Sequence, residues 1–225
     1  NMVFDTDGVR ITEMDPYQTC MVDMFLDKEK LEDYYCPKQV TIGISIPSLQ
    51  KRLKNLGNNQ VLTMYMTKDN ISTLEIVFDS TDSTQQTEFG LDLMDLENDP
   101  DLAFPDDDYK LVLSITASEF KQICTTTKSI DTKQIKITYS KGVYVFSAKG
   151  LIGNLKITHL ADNADADGEI YEGVFDLEKL SSFTKCASIS KSDVKLYLGN
   201  DLPLICEYEL SCGVLCLLLG MMDEL

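Results

Sequence analysis

The residues that most often perform chemistry in proteins are few in this chain, and their spacing excludes the common catalytic arrangements. His159 is the single histidine among 225 residues. One imidazole excludes a His-x-x-x-His zinc motif, and it could serve a Ser-His-Asp or Cys-His arrangement only by acting alone. It also lies in a strand-like run, 155–160, where a packed or surface role is the commoner one. We therefore predict no catalytic centre and no enzyme.

The cysteines indicate a reducing compartment. There are seven, an odd number, and no Cys-x-x-Cys occurs. This pattern is typical neither of a disulfide framework nor of a zinc ribbon. Buried, reduced thiols in a cytosolic or nuclear protein are the simplest interpretation. The seven are Cys20, Cys36, Cys124, Cys186, Cys206, Cys212 and Cys216.

One acidic segment resembles a calcium loop. Residues 163–168, Asn-Ala-Asp-Ala-Asp-Gly, match the first half of an EF-hand loop. The twelfth position of such a loop needs a bidentate glutamate, and Val174 stands there. A strand pattern follows instead of a helix. We therefore predict an acidic turn, with no metal and no cofactor.

The net charge limits the partners. The chain carries 20 Lys and Arg against 37 Asp and Glu, a formal charge of −17. Such a chain binds nucleic acid only if its few basic residues gather on one face. Its 44% apolar content suffices for a core. No apolar run reaches the roughly 20 residues of a membrane helix, so we expect no membrane partner.

Three predicted helices include several of the basic residues, whereas most other segments alternate like strands. The helices are predicted at 47–56, 116–127 and 176–185. The first has no acidic residue, and the second opens with the capping box of Thr116 and Glu119. Basic helices in an acidic chain suggest contact with phosphates and no reading of bases. An ordinary solvated helix face remains the alternative.

An internal repeat indicates two similar domains. Gly8 and Gly142 open matching segments, and so do Gly43 and Gly173, at a separation of about 130 residues. We predict an N-terminal domain at 1–94, a connector at 95–108 and a C-terminal domain at 109–225. The connector holds acids and two prolines but no base. The repeat also leads us to expect that a strand and a helix of the first domain precede residue 1.

Short motifs in a shared order resemble the eukaryotic-type DNA sliding clamp, the proliferating cell nuclear antigen family. The resemblance covers essentially the whole chain. The motifs are Asp7-Gly8-Val9 leading to Met14-Asp15, Leu93-Met94-Asp95-Leu96, Phe104-Pro105, Ser118-Glu119-Phe120 with Ile123-Cys124, Phe146-Ser147-Ala148 with Gly150, Phe183-Thr184-Lys185, and Leu202-Pro203-Leu204 with Glu207-Tyr208.

The resemblance implies an α+β clamp fold of two similar domains, in which three subunits form a ring with sheets outside and helices inside. Such a ring encircles duplex DNA without sequence preference. It acts as a polymerase processivity factor and tethers replication and repair proteins. The implied partners are DNA polymerase, flap endonuclease, DNA ligase and the clamp loader, each bound through a PIP-box-type peptide. The implied location is the nucleus, or the replication site of a virus.

The resemblance also assigns candidate residues to three surfaces. The DNA channel takes basic residues of the three helices: Lys51, Arg52, Lys54, Lys121, Lys128, Lys179 and Lys185. The partner-peptide groove takes residues of three distant segments: Met14, Gln18, Thr19, Met21, Leu102, Phe104, Pro105, Leu202, Pro203, Leu218 and Leu219. The subunit interface takes apolar residues of two strands: Phe89, Leu91, Leu93, Ile152, Leu155 and Ile157.

Two other interpretations remain open from the sequence. The chain could be a clamp paralogue that acts in a heterotrimer or in an open assembly. It could also be an acidic calcium-binding or protein-binding scaffold without a DNA role. The mass of the assembly in solution separates a ring from a monomeric scaffold.

Overall fold

A computed structural model describes residues 1–82, 85–95, 104, 109–160 and 170–223. The chain divides into two compact units. The first comprises Asn1–Thr6 and Cys36–Asp101, and the second comprises Asp7–Tyr35 and Leu102–Leu225. These two units are defined by packing within the chain. The domain boundaries at 94 and 109 come from the sequence repeat and remain a prediction.

The first unit contains a short strand pair, a three-stranded antiparallel sheet and one helix. Strands β1 and β4 pair with each other, and the sheet has the order β5-β6-β7. The elements are β1 (Met2–Phe4), β4 (Val40–Ile42), α1 (Ile46–Leu53), β5 (Gln60–Thr67), β6 (Asn70–Ser80) and β7 (Gln86–Asp92).

Local signals explain where α1 begins. The Ser45 hydroxyl caps it by accepting a hydrogen bond from the Ser48 N–H, and Pro47 stands in the first turn, where a missing N–H costs nothing. The helix contacts β7, where the Arg52 guanidinium lies 5.4 Å from the centre of the Phe89 ring. This cation–π contact holds one basic side chain of α1 against the sheet.

The second unit contains two antiparallel sheets and two helices. The larger sheet has six of its strands in the order β2-β3-β15-β14-β13-β8, and the smaller has the order β11-β10-β9-β12. The strands are β2 (Gly8–Met14), β3 (Cys20–Asp27), β8 (Leu111–Ile115), β9 (Gln134–Ser140), β10 (Val143–Gly150), β11 (Gly153–Leu160), β12 (Tyr171–Asp176), β13 (Val194–Leu198), β14 (Leu204–Glu209) and β15 (Gly213–Leu219). The helices are α2 (Ala117–Lys128) and α3 (Leu177–Phe183), with short 3-10 helices at Lys28–Lys30 and Thr184–Ser188.

The main core of the second unit takes side chains from both sheets and both helices. Helix α2 buries Phe120, Ile123 and Cys124, which recur at helical spacing. Helix α3 buries three further apolar side chains, Leu177, Leu180 and Phe183. The fully buried Tyr208 of β14 donates its hydroxyl to the Phe183 carbonyl at 2.9 Å, so the one polar atom of that side chain is satisfied.

The order of elements confirms the repeat seen in the sequence. Strands β1 to β4, α1 and β5 to β7 recur as β9 to β12, α3 and β13 to β15. The three predicted helices are confirmed within a few residues of their expected ends, including the capping box at α2. Strand β1 and the two 3-10 helices were not predicted, because three to five residues are too short for a periodic pattern to appear.

The ladder between β3 and β15 joins residues nearly two hundred positions apart. Seven residue pairs run from Cys20 opposite Leu219 to Leu26 opposite Gly213. Gly213 lies close against the facing backbone, since a Cβ built there would lie 1.8 Å from the Phe25 carbonyl oxygen. Only glycine fits beside that carbonyl without a shift of one strand.

We predict that Gly213→Ala destabilises the fold by about 1–3 kcal/mol, because the added methyl group must push β15 away from β3. Urea unfolding measures this loss. Gly220→Ala is the matched control just beyond the other end of the strand, where the nearest atom to a new Cβ is 3.4 Å away. Equal stability of the two variants would contradict the close approach.

Candidate partner-binding and DNA-binding surfaces

A second apolar cluster lies on the sheet face opposite the main core. Leu217 and Leu219 of β15 belong to the main core, whereas Leu218 between them belongs to the second cluster, because successive strand residues point to opposite faces. The second cluster consists of buried Met21, Ile205 and Leu218 with partly buried Met14, Phe104, Tyr109, Tyr197 and Cys216 packed against them.

Strand register lines these side chains up in one row. Met14 is opposite Met21, Met21 is opposite Leu218, and Leu218 is opposite Ile205. Ile205 is in turn opposite Tyr197 on β13. The second cluster therefore runs across five neighbouring strands as a continuous apolar stripe.

The structure brings together some of the predicted groove residues and separates others. Met14, Met21, Phe104 and Leu218 join the second cluster. Leu219, by contrast, lines the main core and is 1% exposed, so it is not part of this surface. Of the other predicted residues, Gln18 and Thr19 lie in the turn between β2 and β3, and Leu202 and Pro203 lie between β13 and β14, where Pro203 contacts Tyr109 of the second cluster. Leu102 and Pro105 lie outside the described residues.

Sequence reasoning missed the aromatic end of the stripe. The rings of Tyr109 and Tyr197 meet edge to face at 6.1 Å. The Tyr109 hydroxyl donates to the Pro203 carbonyl at 2.7 Å, and the Tyr197 hydroxyl donates to the Glu207 carboxylate at 2.8 Å. Alternation within 194–198 pointed Tyr197 away from Leu196, so the face could have been assigned from the strand pattern.

A polar row borders the stripe and holds no reactive thiol. Thr12 and Arg10 both donate to the Asp23 carboxylate, at 2.6 and 3.3 Å. Cys216 is paired in register with Asp23 on one side and Glu207 on the other. Burial, reinforced by these carboxylates, raises the pKa of the Cys216 thiol to about 12. The thiol therefore stays protonated near neutral pH and is a poor nucleophile.

The turn between β2 and β3 is organised by the Asp15 carboxylate. One of its oxygens accepts the backbone N–H groups of Thr19 and Cys20 at 2.7 and 2.8 Å. The other accepts the Thr19 hydroxyl at 3.0 Å and the Lys179 ammonium at 2.8 Å. The hydrogen bond from Lys179, with those from the turn, holds the pKa of the Asp15 carboxyl well below its usual range.

The predicted DNA-channel cations fall into two groups. Most are exposed and form no salt bridge within the described part of the chain; these are Lys51, Lys54, Lys121, Lys128 and Lys185. Arg52 is exposed but stacks on Phe89. Lys179 differs, because its ammonium is engaged by Asp15 and also donates to the Thr19 hydroxyl. A phosphate would therefore have to compete with a carboxylate at this position.

The predicted interface residues lie on two edge strands. Phe89 and Leu91 belong to β7, at one edge of the three-stranded sheet, and Leu93 follows it. Leu155 and Ile157 belong to β11, at one edge of the four-stranded sheet, and Ile152 precedes it with 70% of its surface exposed. Leu91 itself is buried within the first unit, so its side chain stabilises that unit.

The described residues contain no cluster of three or more His, Cys, Asp or Glu side chains that could hold a metal ion. The calcium-like segment 163–168 lies outside them. The His159 Nδ1 atom lies 2.9 Å from the Leu160 carbonyl oxygen. No helix in the described ranges is both long and apolar enough to span a membrane.

Two repeats of a strand-rich unit, with exposed lysines on or beside the helices of a strongly acidic chain, are typical of the DNA-clamp class. A model of the N-terminal domain of proliferating cell nuclear antigen matches residues 1–102, and a model of its C-terminal domain matches residues 103–220. The chain therefore belongs to the proliferating cell nuclear antigen family, and it is a sliding clamp that serves as a processivity factor in DNA replication.

Individual relatives agree with this assignment. The chain is 30% identical to the proliferating cell nuclear antigen of Chaetomium thermophilum over 212 residues, which cover 90% of this chain and 80% of the relative. It shares its fold with the crystal structure of the proliferating cell nuclear antigen from Entamoeba histolytica, with a TM-score of 0.86 and 23% identity, over 99% of this chain and 88% of that one. Clamps of this family are non-enzymatic scaffolds that encircle DNA, self-associate and bind partners.

Asp15 generates a prediction about pH. Its pKa in the folded chain is lower than the value of about 3.9 in an unfolded chain, so its contribution to stability is complete above that value and is lost as the pH falls. Asp15→Asn should cost about 1–3 kcal/mol at neutral pH. The difference from the native chain should shrink below about pH 4. Urea unfolding across this range measures it, and a difference that is constant with pH would contradict the assignment.

Proposed function

We propose that three copies of this chain close into a ring around duplex DNA by pairing β7 of one copy with β11 of the next. One observation carries this proposal. Within the chain, the last strand of the second repeat, β15, pairs with the third strand of the first repeat, β3. Their counterparts in the other repeat are β7 and β11, and each lies at a sheet edge with no further partner strand among the described residues. The contact of β7 with β11 between two copies would thus repeat the pairing of β15 with β3 inside one chain.

Backbone geometry supports β7 as a docking edge. The Leu93 N–H donates to the Ser72 carbonyl at 2.9 Å, so odd-numbered residues of this strand direct their N–H groups toward β6. The N–H groups of Glu88, Gly90 and Asp92 then face away from β6, because hydrogen-bonding direction alternates along an antiparallel strand. An exposed edge of this kind is a template for a strand of another chain.

The internal junction also gives a register. Leu217 is opposite Val22. We take as their counterparts Phe89 and Leu155, partly buried residues of the corresponding strands. Extending that register sets Glu88 opposite Lys156 of the next copy. Opposite charges at directly facing positions favour pairing, whereas like charges oppose it. The Tyr65 hydroxyl donates to the Glu88 carboxylate at 2.8 Å and orients it beside the edge.

Contact with DNA is assigned to the exposed helix cations. Lys51 and Lys54 on α1, Lys121 and Lys128 on α2, and Lys185 after α3 would face the phosphates. Such contacts carry no sequence information and weaken with salt. They are few in a chain of charge −17, which suits a ring that slides. Ring closure around the duplex, more than phosphate affinity, would retain the protein on DNA.

The second apolar cluster is assigned to partner peptides. It offers a stripe of methionine, leucine, isoleucine and tyrosine side chains, and methionine adapts its shape to varied ligands. A PIP-box-type segment with aliphatic and aromatic anchors fits this chemistry, and the acidic connector would attract its basic flanks. We propose that this segment is carried by DNA polymerase, flap endonuclease, DNA ligase and the clamp loader. The clamp itself performs no catalysis, and it works in the nucleus or at a viral replication site.

Ring closure is tested at Asp92. Asp92→Pro removes an N–H that faces the free edge, so we expect monomers where the native chain and the Asp92→Ala control form trimers. Sedimentation equilibrium at micromolar concentration gives the masses. Leu91 is a poorer site for this test, because its N–H faces β6 and its side chain is buried.

The register is checked by cross-linking. A chain with Glu88→Cys and Lys156→Cys should form disulfide-linked oligomers, since facing residues of a hydrogen-bonded pair lie about 5.5 Å apart at Cα. The chain with Asp92→Cys and Lys156→Cys is the out-of-register control. A trimeric Asp92→Pro variant would overturn the edge assignment, and a native chain that never self-assembles would favour a heterotrimeric paralogue.

Peptide binding is tested at two partly exposed members of the second cluster. A peptide with the pattern Gln-x-x-aliphatic-x-x-aromatic-aromatic should bind the native ring with micromolar affinity or better. Met14→Ala combined with Phe104→Ala should weaken it by about tenfold or more, because both side chains supply apolar contact. Titration calorimetry measures the affinity. Met64→Ala, a partly exposed methionine on β5, is the control, and equal binding by all three chains would refute the groove.

A further inference from the structure

Lys179 stands apart from the other cations of the inner helices. It lies on α3, and its ammonium contacts Asp15 in a distant segment of the chain at 2.8 Å. The side chains are 33% and 22% exposed, so both groups are partly covered. Charge-assisted hydrogen bonds in partly covered sites are stronger than exposed surface pairs.

The Asp15 carboxylate connects this cation to the turn at 15–19. Besides Lys179, it accepts two backbone N–H groups and one hydroxyl, all from Thr19 and Cys20. Gln18 in the same turn has a φ of 55°, a conformation that costs energy for a residue with a side chain. Two backbone hydrogen bonds also close the turn, from the Asp15 N–H to the Cys20 carbonyl at 2.8 Å and from the Gln18 N–H to the Asp15 carbonyl at 2.9 Å. The Asp15 side-chain contacts add to them and hold Thr19 and Cys20.

The turn at 15–19 also fixes the position of one end of the second apolar cluster. It joins Met14 to Met21, the cross-strand pair that begins the apolar stripe. Its Thr19 carbonyl accepts the Gly220 N–H at 2.8 Å, just beyond Leu218 and Leu219. A shift of this turn would move both methionine side chains and the end of β15.

We propose that Lys179 is a positioning residue for the partner-peptide surface and not a DNA-contacting residue. By holding Asp15, it fixes the turn that sets the spacing of Met14, Met21 and Leu218. This inference rests on the proposed peptide-binding role of that surface. It changes the expected role of one cation on α3, whose charge is used inside the subunit.

The experiment compares Lys179→Met with Lys185→Met, which removes the same charge from an exposed position six residues further on. We expect Lys179→Met to weaken the test peptide by about fivefold to tenfold and to leave affinity for a short DNA duplex at low salt unchanged. Lys185→Met should do the reverse. Fluorescence anisotropy measures both affinities, and Lys179→Arg should restore most of the peptide binding because it keeps the charge.

A double-mutant cycle with Asp15→Asn tests the mechanism. The combined variant should bind the peptide no more weakly than Lys179→Met alone, because both changes break the same contact between Lys179 and Asp15. If Lys179→Met weakens duplex binding as Lys185→Met does and leaves peptide affinity unchanged, the proposal is overturned.

Hydrogen exchange separates this proposal from the proposed function. In Lys179→Met the amides of Thr19 and Cys20 should exchange faster than in the native chain. If the native ring binds no peptide, the proposed groove fails, and faster exchange still supports the anchoring role of Lys179. Unchanged exchange at both amides would overturn that role whatever the peptide does.

Discussion

The antiparallel ladder between β3 and β15 determines what lies on both faces of the larger sheet. One face of the ladder adds Val22 and Leu217 to the main core, and the other adds Met21 and Leu218 to the second apolar cluster. The same seven residue pairs therefore stabilise the fold and build the surface proposed for partners. Because strand side chains alternate, a slip of one residue would exchange the two sets. The close fit of Gly213 against the Phe25 carbonyl helps to hold the register.

Local elements were the most predictable part of this structure. The Thr116–Glu119 capping box marked α2, because these side chains satisfy N–H groups that any helix start leaves open. Asp176 does the same at the start of α3. The repeat predicted two similar domains, and the recurring order of elements agrees with it. The pairing of β3 with β15 was beyond sequence reasoning on residues alone, since nothing local to either strand identifies a partner so far along the chain.

The candidate surfaces show the same division. Alternation within β15 could have separated Leu218 from Leu219, and the family resemblance alone treated them together. The role of Lys179 could not be found from the sequence, since a lysine on a basic helix is indistinguishable from its neighbours until the fold brings Asp15 beside it. The composition gives the number of charged side chains, whereas the tertiary structure shows which of them are paired with an opposite charge.

Each subunit would join its neighbours through two different edges, and this determines how intact and altered chains assemble together. Strand β7 and strand β11 are not copies of one surface, so the proposed contact is heterologous and each addition leaves one new edge open until the ring closes. A chain damaged at β7 alone keeps a sound β11, so it can still enter an assembly and then prevent its completion. A small amount of such a chain would therefore prevent ring closure by many intact subunits. A chain altered at both edges would not join an assembly and would leave ring closure by intact subunits unaffected.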